Sequence, residues 1–157
     1  MGILEMLDKL DQIELLYEPI YSADGHRVVA YEVIGQIEGE SGIVNLEHFT
    51  YEQEVPVEMR AEIEQLFVRK ALQAASHLIA EVGLYIPCNP NLLAFDYGES
   101  YFAMLKELIA EENLPQITLV MAEHKFKGDL KQLHHSIRYI KTYGVKIALA
   151  DVGSQTL

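Results

Sequence analysis

The sequence predicts an α/β fold that opens with an antiparallel hairpin and continues as helix-then-strand units. Three observations carry this reading. Apolar runs over 15–21 and 27–37 flank Ser22-Ala23-Asp24-Gly25, and Asp-Gly between two apolar runs is a strong hairpin signal. Beyond them, stretches with helical apolar spacing alternate with short apolar runs over 84–88, 116–121 and 145–150. Strands of that kind suit burial on both faces beneath crossover helices. Finally, 157 residues, 50% of them apolar, suffice for one globular domain with a real core.

Each element follows from local chemistry. Ile3, Leu4, Leu7 and Leu10 space a short amphipathic helix over 2–12. Pro19 has no N–H to give a ladder, which places the first strand at a sheet edge. The polar stretch 38–55, with Gly39, Ser41 and Gly42, reads as a loop with one helical turn near 46–51. Pro56 opens a long helix running to about Val82, with Ile63, Leu66, Phe67, Ala71, Leu78 and Ile79 on one stripe, and Gly83 closes it. Asn89-Pro90-Asn91 is a turn. A helix follows over 100–111, capped near Gly98 or Ser100, and another over 129–143, ended by Gly144. The three later strands are too few for a closed eight-stranded barrel, which takes roughly 250 residues. The elements therefore describe either an open α/β sheet or part of a barrel, with no linker and no internal repeat.

Composition narrows the function. A net charge of −12 repels a phosphate backbone, and no clustered Lys/Arg face stands out along the sequence, so no nucleic acid is expected as a partner. No apolar run reaches spanning length, and the first residues carry acids where a signal peptide carries bases. A cytoplasmic protein without a membrane partner is expected. The single Cys88 excludes an internal disulfide and, with no nearby His, reads as a small apolar strand residue.

Ligands of parallel α/β arrangements bind at the C-terminal ends of the strands. That rule selects Glu32, the 87–91 segment, Glu123 and Asp151, and oxygens converging there could hold a hard divalent cation. Glu32 leads because it stands inside an apolar run, where an ionised carboxylate needs compensation; a site carboxylate or a buried ion pair would each supply it. Turn chemistry explains Asn89 and Asn91 equally well, and a loop explains Asp151 before Gly153. His134-His135 lies mid-helix, where neighbours point about 100° apart, and His124 directly follows Glu123, so no zinc-ligand spacing exists. Asp8/Asp11 and Glu111/Glu112 read as solvated faces. Neither a phosphate-cradling glycine loop nor a nucleophile elbow is present.

Several motifs in order resemble one known family. They are Tyr17-Glu18-Pro19-Ile20, the hairpin Gly25, and Tyr31-Glu32-Val33-Ile34-Gly35-Gln36 in place of a signature Glu-Ala-Leu followed by Arg. Then come Asn91-Leu92-Leu93, Leu119-Val120-Met121-Ala122-Glu123, and the run from Tyr143 to Gly153. Together they resemble the EAL domains, bacterial cyclic di-GMP phosphodiesterases, and within them the EAL part of YkuI-type proteins of bacilli. The resemblance implies a partial TIM-type (β/α) barrel with one antiparallel strand, residues 1–157 forming a single degenerate EAL-like domain that supplies the first part of the barrel.

Active members of that family hydrolyse cyclic di-GMP with a water activated by two Mg²⁺ or Mn²⁺ ions, held by carboxylates and an Asn. Carried over by position, the resemblance keeps Glu32 as the first metal ligand. The ligand Asn falls on Pro87, and only a two-residue shift brings Asn89 there. Val120 replaces a metal-binding Glu, with Glu123 surviving later in the motif. Ala150 replaces the first of two paired aspartates, leaving Asp151. Gln36 takes the place of a phosphate-holding Arg and lacks its charge-assisted fork. The remnant ligand set is thus Glu32, Gln36 and Asn89, with metal remnants at Glu32, Asn89, Glu123 and Asp151 and losses at Val120 and Ala150. No bound metal cofactor and no phosphodiesterase activity are expected. The expected role is protein–protein interaction in a signalling pathway, with a partner protein or a homodimer engaging the open barrel edge. The alternatives are a receptor that binds cyclic di-GMP without cleaving it and a residual phosphodiesterase.

Overall fold

The computed structural model describes residues 2–150. The hairpin forms, with β1 (Glu14–Tyr21) antiparallel to β2 (Val28–Gly39) and a register irregularity between Ile20 and Tyr21. Its turn is held by Asp24, whose Oδ1 accepts from Ser22 Oγ (2.5 Å) and from His26 N–H (3.0 Å). Gly25 there has φ +73°, a conformation that costs glycine little.

The 38–55 stretch is more ordered than a loop. β2 runs on to Gly39, turns at Glu40 and Ser41, and returns as β3 (Gly42–Asn45), which pairs with the far end of β2. A short helix α2 (Leu46–Phe49) follows, capped by the Asn45 side chain, which accepts from His48 N–H (3.2 Å). Gly42 has φ +128°, which marks the tight turn. The polar sequence concealed a strand because half of that strand is solvent-exposed.

The long helix α3 (Val57–Ala75) begins just after Pro56 but stops seven residues short of the expected end. Turn bonds from Leu78 N–H to Ala75 O (2.9 Å) and from Val82 N–H to Leu78 O (3.0 Å) redirect the chain, so that Ile79 still reaches the core, 4% exposed. Gly83 is therefore not a helix cap. It opens β4 (Gly83–Pro87) opposite Ala30, where an added Cβ would stand 3.3 Å from the Ala30 Cβ. Next come α4 (Pro90–Leu93), α5 (Glu99–Leu108), β5 (Ile117–Met121), α6 (Leu130–Thr142) and β6 (Lys146–Leu149). α5 starts after Gly98 and ends three residues early, giving way to a 3-10 segment around Pro115. α6 is capped by Asp129.

The sheet order is β1-β2-β4-β5-β6, with β2, β4, β5 and β6 parallel, so β1 and its Pro19 lie at the margin as expected. Alternation divides the sheet. Val33, Ile37, Leu84, Ile86, Ile117, Leu119 and Met121 point to the helices and join Phe67, Leu72, Leu105, Leu133 and Ile140 in one buried cluster. Each such side chain, fully buried, stabilises the fold by about 1.5–3 kcal/mol. Gly35 lets the Phe67 ring lie on β2: a Cβ at position 35 would meet ring carbons at 2.5 and 2.6 Å. Between α5 and α6, Phe102 stacks on Tyr143 (4.0 Å between centroids) and meets Tyr139 edge-on.

Candidate functional site

The inner sheet face, opposite the helices, carries the residues left over by that alternation. On β2 these are Glu32, Ile34 and Gln36; on β4, Tyr85 and Pro87; on β5, Thr118 and Val120; on β6, Lys146 and Ala148. Glu32 is half-buried and sits in register between Glu18 of β1 and Tyr85 of β4. The two carboxylates stand directly across an antiparallel pair, where like charges destabilise. Gln36 lies on the same face four residues on, roughly 13 Å along the strand, opposite Glu14 and Asn45. At the strand ends Pro87, Val120 and Ala148 form one continuous cross-strand row of carbon side chains. Ala150 follows β6, its N–H donating to Met121 O (2.8 Å).

Asn89 is placed differently from what a ligand would require. It is 0% exposed. Its Oδ1 accepts from Asn91 N–H (2.9 Å) and Asn91 Nδ2 (3.0 Å), and its Nδ2 donates to Thr50 O (3.1 Å) and Oγ1 (3.2 Å). Both lone pairs of the oxygen are thus used in capping α4 and both hydrogens in tying it to the end of α2, which leaves nothing for a ligand to occupy. Glu123 sits in a 3-10 turn after β5, 3.9 Å from His134 Nε2. His134 and His135 diverge, His135 meeting the Tyr97 ring edge-on. Asp151 lies outside the described residues.

Two residues near the strand ends escaped the sequence reading. Glu18 was invisible as the neighbour of Glu32 because the irregularity at Ile20/Tyr21 shifts the pairing by one, so counting back from the turn assigns the wrong partner. Glu64 lies on the buried side of α3 and is 3% exposed. The signal was its place three and four residues before buried Phe67 and Val68. One of its oxygens receives the Asn89 N–H, and around it are Tyr51, Cys88 and Tyr101. Among the described residues the Tyr51 hydroxyl and Glu64 Oε2 are buried without a hydrogen-bond partner. Burial pushes the pKa of the Cys88 thiol and of both phenols well above their ordinary ranges. Cys88 is inert packing, 1% exposed.

The family model for the EAL domain matches residues 3–157. This chain belongs to the EAL-domain family. It is 34% identical over 154 residues to the uncharacterized EAL-domain protein YkuI of Bacillus subtilis strain 168, a match that covers 98% of this chain. The chain spans only 38% of that relative's length. The crystal structure of B. subtilis YkuI in complex with substrate c-di-GMP and calcium superposes with a TM-score of 0.86 over 99% of this chain and 39% of that one. An EAL-domain protein from Listeria monocytogenes shares the fold at 17% identity and a TM-score of 0.73, covering 98% of this chain and 61% of its own.

EAL membership poses the question of a divalent metal, for which the described residues at the strand ends bring few oxygen donors. Among the described residues no three His, Cys, Asp or Glu side chains gather as a metal site requires. The pair Glu18 and Glu32 adjoins Tyr85, and the row beyond it offers Pro, Val and Ala, whose side chains have no lone pair. Among the same residues no helix is long and apolar enough to cross a membrane.

Proposed function

We propose that this EAL domain acts in cyclic di-GMP signalling by contacting another protein and does not hydrolyse the dinucleotide. The row Pro87–Val120–Ala148, with Ala150 beyond it, supports the reading: Val120 and Ala150, where the family resemblance puts metal-binding carboxylates, carry only hydrocarbon. Removing two carboxylates from a site that must offset about four positive charges abolishes metal affinity rather than trimming it. The inner sheet face and the outer side of β6 are the surfaces on offer. Leu16 is 39% and Leu149 46% exposed, and whatever completes the barrel, further chain or a second molecule, must cover them. Incubating the chain with cyclic di-GMP and Mn²⁺ under a chromatographic readout tests this. No turnover above a blank is expected, and measurable product overturns it. Sedimentation at micromolar concentration tests the partner: a well-folded monomer counts against pairing between copies.

A second reading has one specific support, the solved complex of YkuI with c-di-GMP. In it the domain is a receptor that holds cyclic di-GMP over Glu32 and Gln36 without cleaving it. Isothermal titration with and without divalent ions separates the two: saturable heat favours the receptor, and its absence favours the protein contact.

A further inference from the structure

Charge is unevenly sorted along the chain. Residues 1–123 hold 22 acids against six bases, whereas 124–150 hold six bases and one acid. Along the sequence these bases look scattered, but α6 gathers three of them beside two histidines. At about 100° per residue, Lys131, His134, His135, Arg138 and Lys141 fall within roughly 120° of arc. All five are exposed, opposite the buried Leu133, Ser136 and Ile140. Exposed Lys127 extends the strip ahead of the helix. Glu123 stands 3.9 Å from His134 Nε2, and the one acid within 124–150, Asp129, turns its carboxylate onto the Lys131 N–H (2.9 Å) as a cap. Among the described residues Lys127, Lys131, Arg138 and Lys141 form no ion pair.

The complement lies on the same chain. Glu52, Glu54, Glu58 and Glu62 are exposed along the approach to α3 and its first turns, likewise without an ion pair among the described residues. The base among them, Arg60, turns inward, donating from Nε to Val55 O (2.9 Å) and from Nη1 to Thr50 O (3.1 Å). Glu58 and Glu62 stand one helical turn apart, as do Arg138 and Lys141. Four exposed acids between residues 52 and 62 thus match four exposed bases between 127 and 141, and among the described residues no ion pair joins the two stretches.

We propose that the α6 strip is an interaction surface for a second copy of this chain, with Lys127, Lys131, Arg138 and Lys141 of one copy seated along Glu52, Glu54, Glu58 and Glu62 of the next. Each copy carries both patches, so the contact closes as a two-fold pair where both engage at once and otherwise builds rings or open chains. It rests on exposed charges and is therefore screened by salt, the Debye length being about 8 Å at physiological ionic strength. Pairing at a sheet edge, by contrast, depends on backbone hydrogen bonds and apolar cover. The inference stands apart from any reading of the strand ends.

Sedimentation equilibrium of the 157-residue chain, at low and high salt, provides the test. It is run beside two charge-reversed variants, Lys131→Glu/Arg138→Glu/Lys141→Glu and Glu54→Lys/Glu58→Lys/Glu62→Lys, with circular dichroism confirming that each is folded. The parent associates at low salt and loses at least tenfold in association constant at high salt. Each variant alone is monomeric, and mixing the two restores assembly, since each then carries the complement of the other. A parent that stays monomeric at low salt, variants that associate undiminished, or a mixture that does not recover overturns the proposal. So does a monomeric parent that binds phosphatidylserine vesicles or duplex DNA, which assigns the strip to that surface instead.

Discussion

The backbone N–H of Asn89 donates to Oε1 of Glu64 across 2.7 Å, while Oε2 of the same carboxyl has no hydrogen-bond partner among the described residues. Burial is the main reason that the group is pushed up from 4.5 to about 8; the Asn89 bond opposes the shift and Glu47 adds to it. The stability consequence follows by linkage. Below about pH 4.5 both folded and unfolded chains hold the proton and the full contribution is present. As pH rises toward about 8 only the unfolded chain releases it, so stability falls by about 1.4 kcal/mol per unit, and above that no more is lost. Glu64→Gln keeps an oxygen for Asn89 and removes the titration. Urea denaturation should find it close to the parent near pH 4 and more stable, on the order of several kcal/mol, near pH 9.

Gly35→Ala forces a methyl into the Phe67 ring at 2.5 Å, with Leu46 Cδ1 at 3.0 Å behind it. Phe67 is 3% exposed and has little room to yield. A loss of about 1–3 kcal/mol is expected in chemical denaturation. Adding Phe67→Leu should recover part of it, and strict additivity would show that the ring is not the obstacle.

Asn89→Ala removes the cap of α4 and leaves the Thr50 carbonyl with Arg60 alone. The cost is expected at about 2–3 kcal/mol. Asn89→Asp keeps the capping oxygen but turns a donor into a second acceptor facing Thr50, so thermal melting should rank it below the parent.

Gln36→Arg restores a charged fork to the inner face of β2. If the domain is a receptor, titration calorimetry should show cyclic di-GMP binding about tenfold tighter, or about 1.4 kcal/mol. Unchanged or absent binding argues for the protein-contact reading.

A bound ion would stabilise the folded chain in proportion to the logarithm of its occupancy. With Pro87, Val120 and Ala148 across the strand ends, melting in excess Mn²⁺ and in excess EDTA should coincide within about 1 °C. A clear rise with Mn²⁺ would reveal a ligand set that the described residues do not provide.

How much was legible depended on whether the cause was local. Asp24-Gly25 announces its own hairpin, and the apolar runs of β4, β5 and β6 announce strands, because turn preference and burial on two faces are written in neighbouring residues. The end of α3 was not legible: the apolar spacing continues through Leu78 and Ile79, and only the return path to β4 dictates a stop at Ala75. The site divides the same way. Glu32 stood out as an acid in an apolar run. That Asn89 would spend its amide on Thr50, 39 residues earlier, and its N–H on Glu64, 25 residues earlier, is a matter of tertiary geometry. No local pattern carries it.

The sorting of charge has an effect that needs no partner to be seen. With six of its twelve bases but only one acid between residues 124 and 150, a molecule of net charge −12 has a strong electric dipole moment. It should rotate as it nears any charged surface, and be retarded on a cation-exchange resin at a pH where its sequence pI of about 4.8 says that it should flow through.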